Sequence, residues 1–172
     1  FKDQGILGVY KHFPGHGGTS GDSHEGTVYL NSTKEELESC EFLPFQAAID
    51  ADTEFVMVGH ISLPNILEDD TPASLSEEVV TEMLRNDLGF DGIVITDAMN
   101  MGAITNNYTS AEAAVQAVQA GVDMILMPQD FEDAYQGILS AVNSGTISED
   151  RIDESVRRIL EVKMGESGES AS

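Results

Sequence analysis

The chain has 172 residues, 41% of them hydrophobic and 23% charged, a balance that can bury a core and is too apolar for a disordered chain. Its formal net charge of -23, from 31 acidic against 8 basic residues, repels nucleic acid and anionic lipid, so neither is expected as a partner. No run reaches the roughly 18 apolar residues of a membrane span, and the one cysteine, Cys40, excludes an internal disulfide framework.

The opening FKDQGILGVY has no signal-peptide layout and no initiating methionine, so the chain is expected to be a segment of a longer protein. Its compartment, cytoplasmic or secreted, stays open. Short apolar runs bounded by turn residues then recur at 6–13, 54–61, 92–99 and 123–128, and each predicts a buried parallel strand. Between them lie helical patterns. Ser32 with Glu35 and Ser74 with Glu77 have capping-box spacing, and Gly89 and Gly121 are placed to act as left-handed stops. In the stretch 33–51, Pro44 would break a helix interior but suits the first turn of a second helix, which predicts a helix pair. Cys40 falls here, with no base nearby to activate a thiol, and is expected to be structural.

The stretch 110–120, SAEAAVQAVQA, is small on all sides, as suits a helix packed closely on a sheet. Further helices are expected at about 130–143 and at 149–164, the latter with Ile152, Val156, Ile159, Leu160 and Lys163 at helical spacing. The tail GESGESAS is expected to be disordered, leaving 1–165 as the folded unit and 166–172 outside it. Alternating strands and helices define an α/β protein with a parallel sheet, doubly wound or closed as a barrel. Every conspicuous polar residue falls at or just after the C-terminal end of a predicted strand, as on the catalytic face of a (β/α)8 barrel. A whole barrel needs about 250 residues. Four βα units therefore predict the C-terminal half of one.

Residues 11–24, KHFPGHGGTSGDSH, crowd a lysine, three histidines and an aspartate into a glycine-rich loop. Asp22 and His24 are two apart, so the carboxylate can orient the imidazole and raise its pKa, although Asp-Ser-His is equally an ordinary polar turn. Lys11 and His12 end the first strand, where they can offer hydrogen bonds to a sugar or carbonyl. His12 and His16 have the i, i+4 spacing of a metal pair, but Pro14 and the glycines preclude the helix that motif requires. His16 is expected to order the loop, and His60 to be a satisfied histidine near the strand ends. Asp97 ends the run GIVITDAM, and a carboxylate there must be paired or used; taken alone it is also a reasonable helix N-cap or ion-pair partner.

The combination of KHFPGHG, DSH and VITDAMNM, with the spacing of strands over residues 6–164, resembles family 3 glycoside hydrolases, specifically the bacterial β-N-acetylglucosaminidase branch. The resemblance implies Asp97 as nucleophile, His24 as acid/base oriented by Asp22, and Lys11 and His12 as sugar-binding residues. It implies a retaining double displacement on terminal β-linked N-acetylglucosamine of peptidoglycan or chitin fragments, with no metal or organic cofactor. A β-glucosidase or a glycoside phosphorylase of the same family is the alternative, since a histidine acid/base leaves room for phosphate as acceptor. Two further alternatives are a metal-assisted hydrolase built on His12, His16, Asp22 and His24, and a non-catalytic barrel fragment. Family members also have a first half-barrel, which this sequence lacks and which is the expected structural partner.

Overall fold

A computed structural model describes residues 4–19 and 26–165. The expected disordered tail, 166–172, lies outside the described residues, as do Asp22 and His24.

Three strands, β1 (Val9–Phe13), β3 (Phe55–Val58) and β5 (Ile93–Thr96), form a parallel sheet in the order β1-β3-β5. They are the first three apolar runs of the sequence, shortened at both ends in β3 and β5 and at the start only in β1. The pairing of β3 with β5 is regular from Phe55 with Ile93 to Val58 with Thr96. The pairing of β1 with β3 slips: Tyr10 faces Val56, but Phe13 faces Val58, so β1 carries one residue more over this interval. The extra residue is taken up at Lys11 and His12, a bulge of the kind that re-aims side chains near strand ends. The Lys11–His12 and Phe13–Pro14 peptide bonds are cis.

The fourth expected strand, 123–128, is not a full strand. Met124 alone pairs with Ile95, while Asp123 and Met124 both donate their N–H groups to Val94 O. Beyond that point the Thr96 hydroxyl accepts from Leu126 N at 3.0 Å, taking the place of a ladder carbonyl and ending the pairing. A second, unpredicted parallel pair joins β2 (Val28–Tyr29) to β4 (Ile61–Ser62). Two residues per strand are too few to leave a periodic signal.

The helix pair appears as α1 (Lys34–Ser39) and α2 (Leu43–Ile49), with Pro44 in the first turn of α2 as expected. The capping box of α1 is Thr33 with Glu36, one residue later than Ser32 with Glu35. Cys40 is not a core residue: it is exposed, just past the end of α1. Ser74 is not a helix cap either. It is buried in a short 3₁₀ turn, Ala73–Leu75, and the π helix Glu78–Asp87 that follows has no side-chain cap. After β5 come a short α3 (Gly102–Thr105), then α4 (Ser110–Ala120), α5 (Phe131–Asn143) and α6 (Glu149–Met164). Gly121 ends α4 in the left-handed region and Gly89 follows the π helix with φ of 73°, as their positions predicted.

The main core lies between the sheet and the helices α1, α2, π and α4. Phe13 is fully buried, stacked on Phe42 and edge-on to Phe45, each at 5.1 Å between centroids. Burial of one such side chain contributes about 1.5–3 kcal/mol. A smaller cluster of Val118, Ala141 and Ile147 joins α4 and α5 to the start of α6. The apolar stripe of α6 is only partly covered, with Val156 and Leu160 nearly half exposed. What fastens α6 is polar: Asp123, whose side chain is wholly buried, receives Arg85 Nη2 at 2.6 Å, Arg158 Nη1 at 3.0 Å and Ser155 Oγ at 2.6 Å. Arg151 Nη1 lies 3.8 Å away, and Val94 N also donates to the carboxylate. Among the described residues no helix is long and apolar enough to cross a membrane.

Candidate active site

The strands are parallel, so their C-terminal ends share one side of the sheet, and the predicted polar residues gather there. Asp97 directly follows β5, with its N–H bonded to Val58 O at 2.9 Å, which holds the backbone on the sheet to its last residue. Its Oδ1 accepts from the N–H of Ala98 at 2.8 Å. Its Oδ2 lies 3.5 Å from His12 Nε2, and the carboxylate remains 18% exposed. The bulge in β1 brings His12 to this position. Burial pulls the His12 pKa below 6.5; the Asp97 carboxylate opposes that pull, and Lys11 and His16 add to it. His12 is thus a neutral hydrogen-bonding group above that pH.

Lys11, exposed, lines a cleft of about 610 Å³ together with His12, His16 and the glycines that follow. One wall is Glu41, brought up against the loop at Gly15. That glycine has φ of 136°, and a Cβ on it would stand 2.5 Å from Glu41 Cγ, so a side chain here would strain the backbone and displace Glu41. His16 orders the loop, as expected. Its Nδ1 is 2.7 Å from Thr19 Oγ1, and its carbonyl accepts from the same hydroxyl at 2.8 Å. The His12 and His16 rings meet edge to face at 5.8 Å. Among the described residues no group of three or more His, Cys, Asp and Glu side chains is arranged to hold a metal. Asp22 and His24, the other half of the predicted chemistry, lie outside the described residues.

His60 is satisfied, as expected, but its partners give it a place in the site that its sequence position alone did not. It follows β3 and is 1% exposed. Its Nδ1 is 2.7 Å from Ser74 Oγ, and its Nε2 is 3.1 Å from the carbonyl oxygen of Ala98, the residue after Asp97. Burial lowers its pKa below 6.5, against the opposing pull of the Ala98 carbonyl and Asp97.

A parallel α/β sheet with a partly exposed carboxylate and a histidine meeting at the C-terminal strand ends has the arrangement of a TIM-barrel site. Residues 1–162 match the glycosyl hydrolase family 3 N terminal domain, and the chain belongs to that family. The structure is similar to that of a glycoside hydrolase family 3 β-N-acetylglucosaminidase from Paenibacillus sp. str. FPU-7, at 40% identity and a TM-score of 0.93, covering all of this chain and 33% of that one. It is also similar, at 28% identity and a TM-score of 0.88, to the β-glucoside phosphorylase BglX, with 98% of this chain and 33% of that one covered. In sequence it is 34% identical to the β-hexosaminidase LpqI of Mycobacterium tuberculosis (strain ATCC 25618 / H37Rv), over 94% of this chain and 43% of that protein. The β-hexosaminidase A of Pseudoalteromonas piscicida is 29% identical over the whole of this chain, which covers 32% of that protein. The chain thus spans between a third and a half of the length of these relatives.

Proposed function

We propose that this chain is the nucleophile-bearing part of a retaining β-N-acetylglucosaminidase that removes terminal β-linked N-acetylglucosamine from peptidoglycan or chitin fragments. The observation that carries the proposal is the Asp97 carboxylate, held at the end of a buried strand with one oxygen on Ala98 N and the other, among the described residues, meeting only His12 at 3.5 Å. Family membership and the names of the relatives support the substrate class.

In the first step an Asp97 oxygen attacks the anomeric carbon while the bond from that carbon to the leaving oxygen breaks, and His24 supplies the proton that the leaving oxygen takes up. In the second, water attacks the same carbon, gives its proton to His24 and releases Asp97. Asp22 orients His24. Lys11 and His12 hold the sugar hydroxyls, His12 donating or accepting at the mouth beside the nucleophile. The roles of Asp22 and His24 rest on sequence resemblance. We further propose that residues 1–165 are a partial catalytic barrel completed by another half-barrel of the same protein. The exposed Val9 and Tyr10 on the free edge of β1, together with the share of the relatives' length that the chain covers, support this.

The test is incubation with a 5-fluoro N-acetylglucosaminyl fluoride, followed by intact-mass measurement and peptide mapping. A covalent adduct on Asp97 is expected, in this chain or in the longer protein that carries it. No adduct in either would overturn the assignment of the nucleophile. Similarity to a β-glucoside phosphorylase favours one second reading, in which inorganic phosphate takes the place of water in the second step. Release of sugar 1-phosphate in phosphate buffer, in place of free sugar, would identify it.

A further inference from the structure

A chain of hydrogen bonds runs around the strand ends, and a longer 3.5 Å contact between Asp97 and His12 closes it into a circuit. Phe13 O at the end of β1 accepts from Gly59 N, and Gly59 O accepts from Ser74 N. Ser74 Oγ meets His60 Nδ1, His60 Nε2 meets Ala98 O, Ala98 N donates to Asp97 Oδ1, and Asp97 Oδ2 returns to His12 on β1. The direction of the bonds in this circuit is set by chemistry. A backbone carbonyl only accepts, so His60 Nε2 carries a hydrogen and donates to Ala98 O. In a neutral ring Nδ1 is then an acceptor, and the Ser74 hydroxyl donates to it. Ser74 fixes the tautomer and plane of His60, and His60 fixes Ala98 O.

The two backbone groups on either side of Ala98 are both engaged. Its N–H orients the Asp97 carboxylate and its carbonyl is held by His60, so the rotation of this stretch of backbone, and with it the aim of the carboxylate, depends on a bond made by a side chain 38 residues before Ala98. We infer that His60, locked by Ser74, is a positioning residue that aims the Asp97 carboxylate at the anomeric carbon through the Ala98 peptide. Resting as it does on Asp97 as the nucleophile, this role predicts a defect in the rate of bond formation and none in sugar binding. Displacement of a reacting group by about 1 Å can cost about 10²-fold in rate.

Two amide substitutions separate the bonds of His60. In His60→Gln the side-chain nitrogen stands the same number of bonds from Cβ as the imidazole Nε2, so it can still donate to Ala98 O while losing the Ser74 contact. In His60→Asn the amide reaches only as far as Nδ1, keeping a partner for Ser74 and losing Ala98. Inactivation by the fluorosugar is followed in time for both variants and for wild type, giving a maximal inactivation rate and a half-saturating concentration for each. Thermal melts report folding. We expect His60→Asn to lower the maximal rate by about 10²-fold at unchanged half-saturation. His60→Gln should stay within about 5-fold of wild type, and Ser74→Ala within about 10-fold.

Equal rates for folded His60→Asn and His60→Gln, or a change confined to half-saturation, would overturn the positioning role while leaving Asp97 as nucleophile. Absence of labelling in wild type, both in this chain and in the longer protein that carries it, would instead remove the nucleophile assignment and the inference with it.

Discussion

β5 is flanked by two carboxylates that live under opposite conditions. Asp123, bonded to Val94 near the start of the strand, is wholly buried and accepts from Arg85, Arg158, Ser155 and the Val94 N–H, with Arg151 close by. Asp97, at the other end and about 10 Å further along the strand, has among the described residues a single conventional side-chain hydrogen bond, partial exposure and one histidine at 3.5 Å. The first carboxylate has every lone pair engaged and nothing left to react. The second has an oxygen in reserve. A buried ion cluster of this kind ties elements together: through Asp123, the π helix, β5 and α6 share one anchor. An unsaturated carboxylate at the strand ends is open to a ligand, as the proposed nucleophile must be, and is expected to contribute little to holding the fold.

The sharpest break in that comparison is the pair of substitutions Asp97→Asn and Asp123→Ala. Asn keeps the acceptor for Ala98 N and the shape of the side chain but cannot form the glycosyl ester. We expect Asp97→Asn to lose about 10³-fold or more in turnover of a chromogenic N-acetylglucosaminide, with stability changed by less than about 1 kcal/mol in urea denaturation. Asp123→Ala should do the reverse. Three guanidinium groups, two of them already driven down in pKa by burial, lose their shared carboxylate. Loss of one partner from a buried network costs about 3–5 kcal/mol, a large part of the usual margin of stability. The fluorosugar should still label the folded fraction at an unchanged rate. A stable Asp123→Ala variant, or an unstable Asp97→Asn, would reverse the assignment of roles.

The two ends also differ in how far the amino-acid sequence discloses them. Asp97 is conspicuous because a charge closes an apolar run, and His12 because it stands near the end of another; the parallel direction of the strands brings both to the same end of the sheet. Asp123 also stands at the edge of an apolar run, but its partners come from Arg85, Arg151 and Arg158, up to 38 residues away, and no local pattern links them. The signal available was scarcity: these are three of only 8 basic residues in the chain. Ser74 was misread for a related reason. Its spacing to Glu77 satisfies the capping-box pattern, yet its hydroxyl is taken by His60, a tertiary partner that outcompetes the local backbone. Helices whose caps and stops are local, such as α4 with Thr109 and Gly121, were legible to within a residue or so. The short β2–β4 pair and the one-residue slip in β1 depend on contacts across the fold and were not.

A smaller effect tests how tightly the Asp123 end is built. Gly121 has φ of 111°, and a Cβ there would stand 2.5 Å from Thr81 Oγ1. That hydroxyl donates to Ala120 O, and Gly121 O accepts from Arg85 Nη2 at 2.9 Å. Gly121→Ala therefore strains the backbone and displaces an arginine of the cluster together. A loss of about 1–3 kcal/mol is expected, read as a shift of the urea midpoint. No shift would mean that the turn yields without disturbing the anchor.

The smallest effect lies at the Asp97 end and is one of pH. Burial holds His60 and His12 below 6.5 in the folded state, while in the unfolded chain each titrates near that value. Between the folded pKa and 6.5 the unfolded chain binds more protons than the folded one, so stability rises with pH across that interval and falls as the solution is acidified through it. The carboxylates with lowered pKa, Glu35, Asp69 and Glu112, start from 3.8 to 4.5 and lose their contribution only below that range. A melt series between pH 5 and 7 thus isolates the histidines. His60→Gln, which removes a group that must be neutral to lie beside Ser74 and Ala98, should flatten the slope relative to wild type; His12→Gln should flatten it less, because His12 is partly open to solvent. An unchanged slope in His60→Gln would mean that His60 accepts a proton in the folded state without cost, which its 1% exposure and two fixed partners argue against.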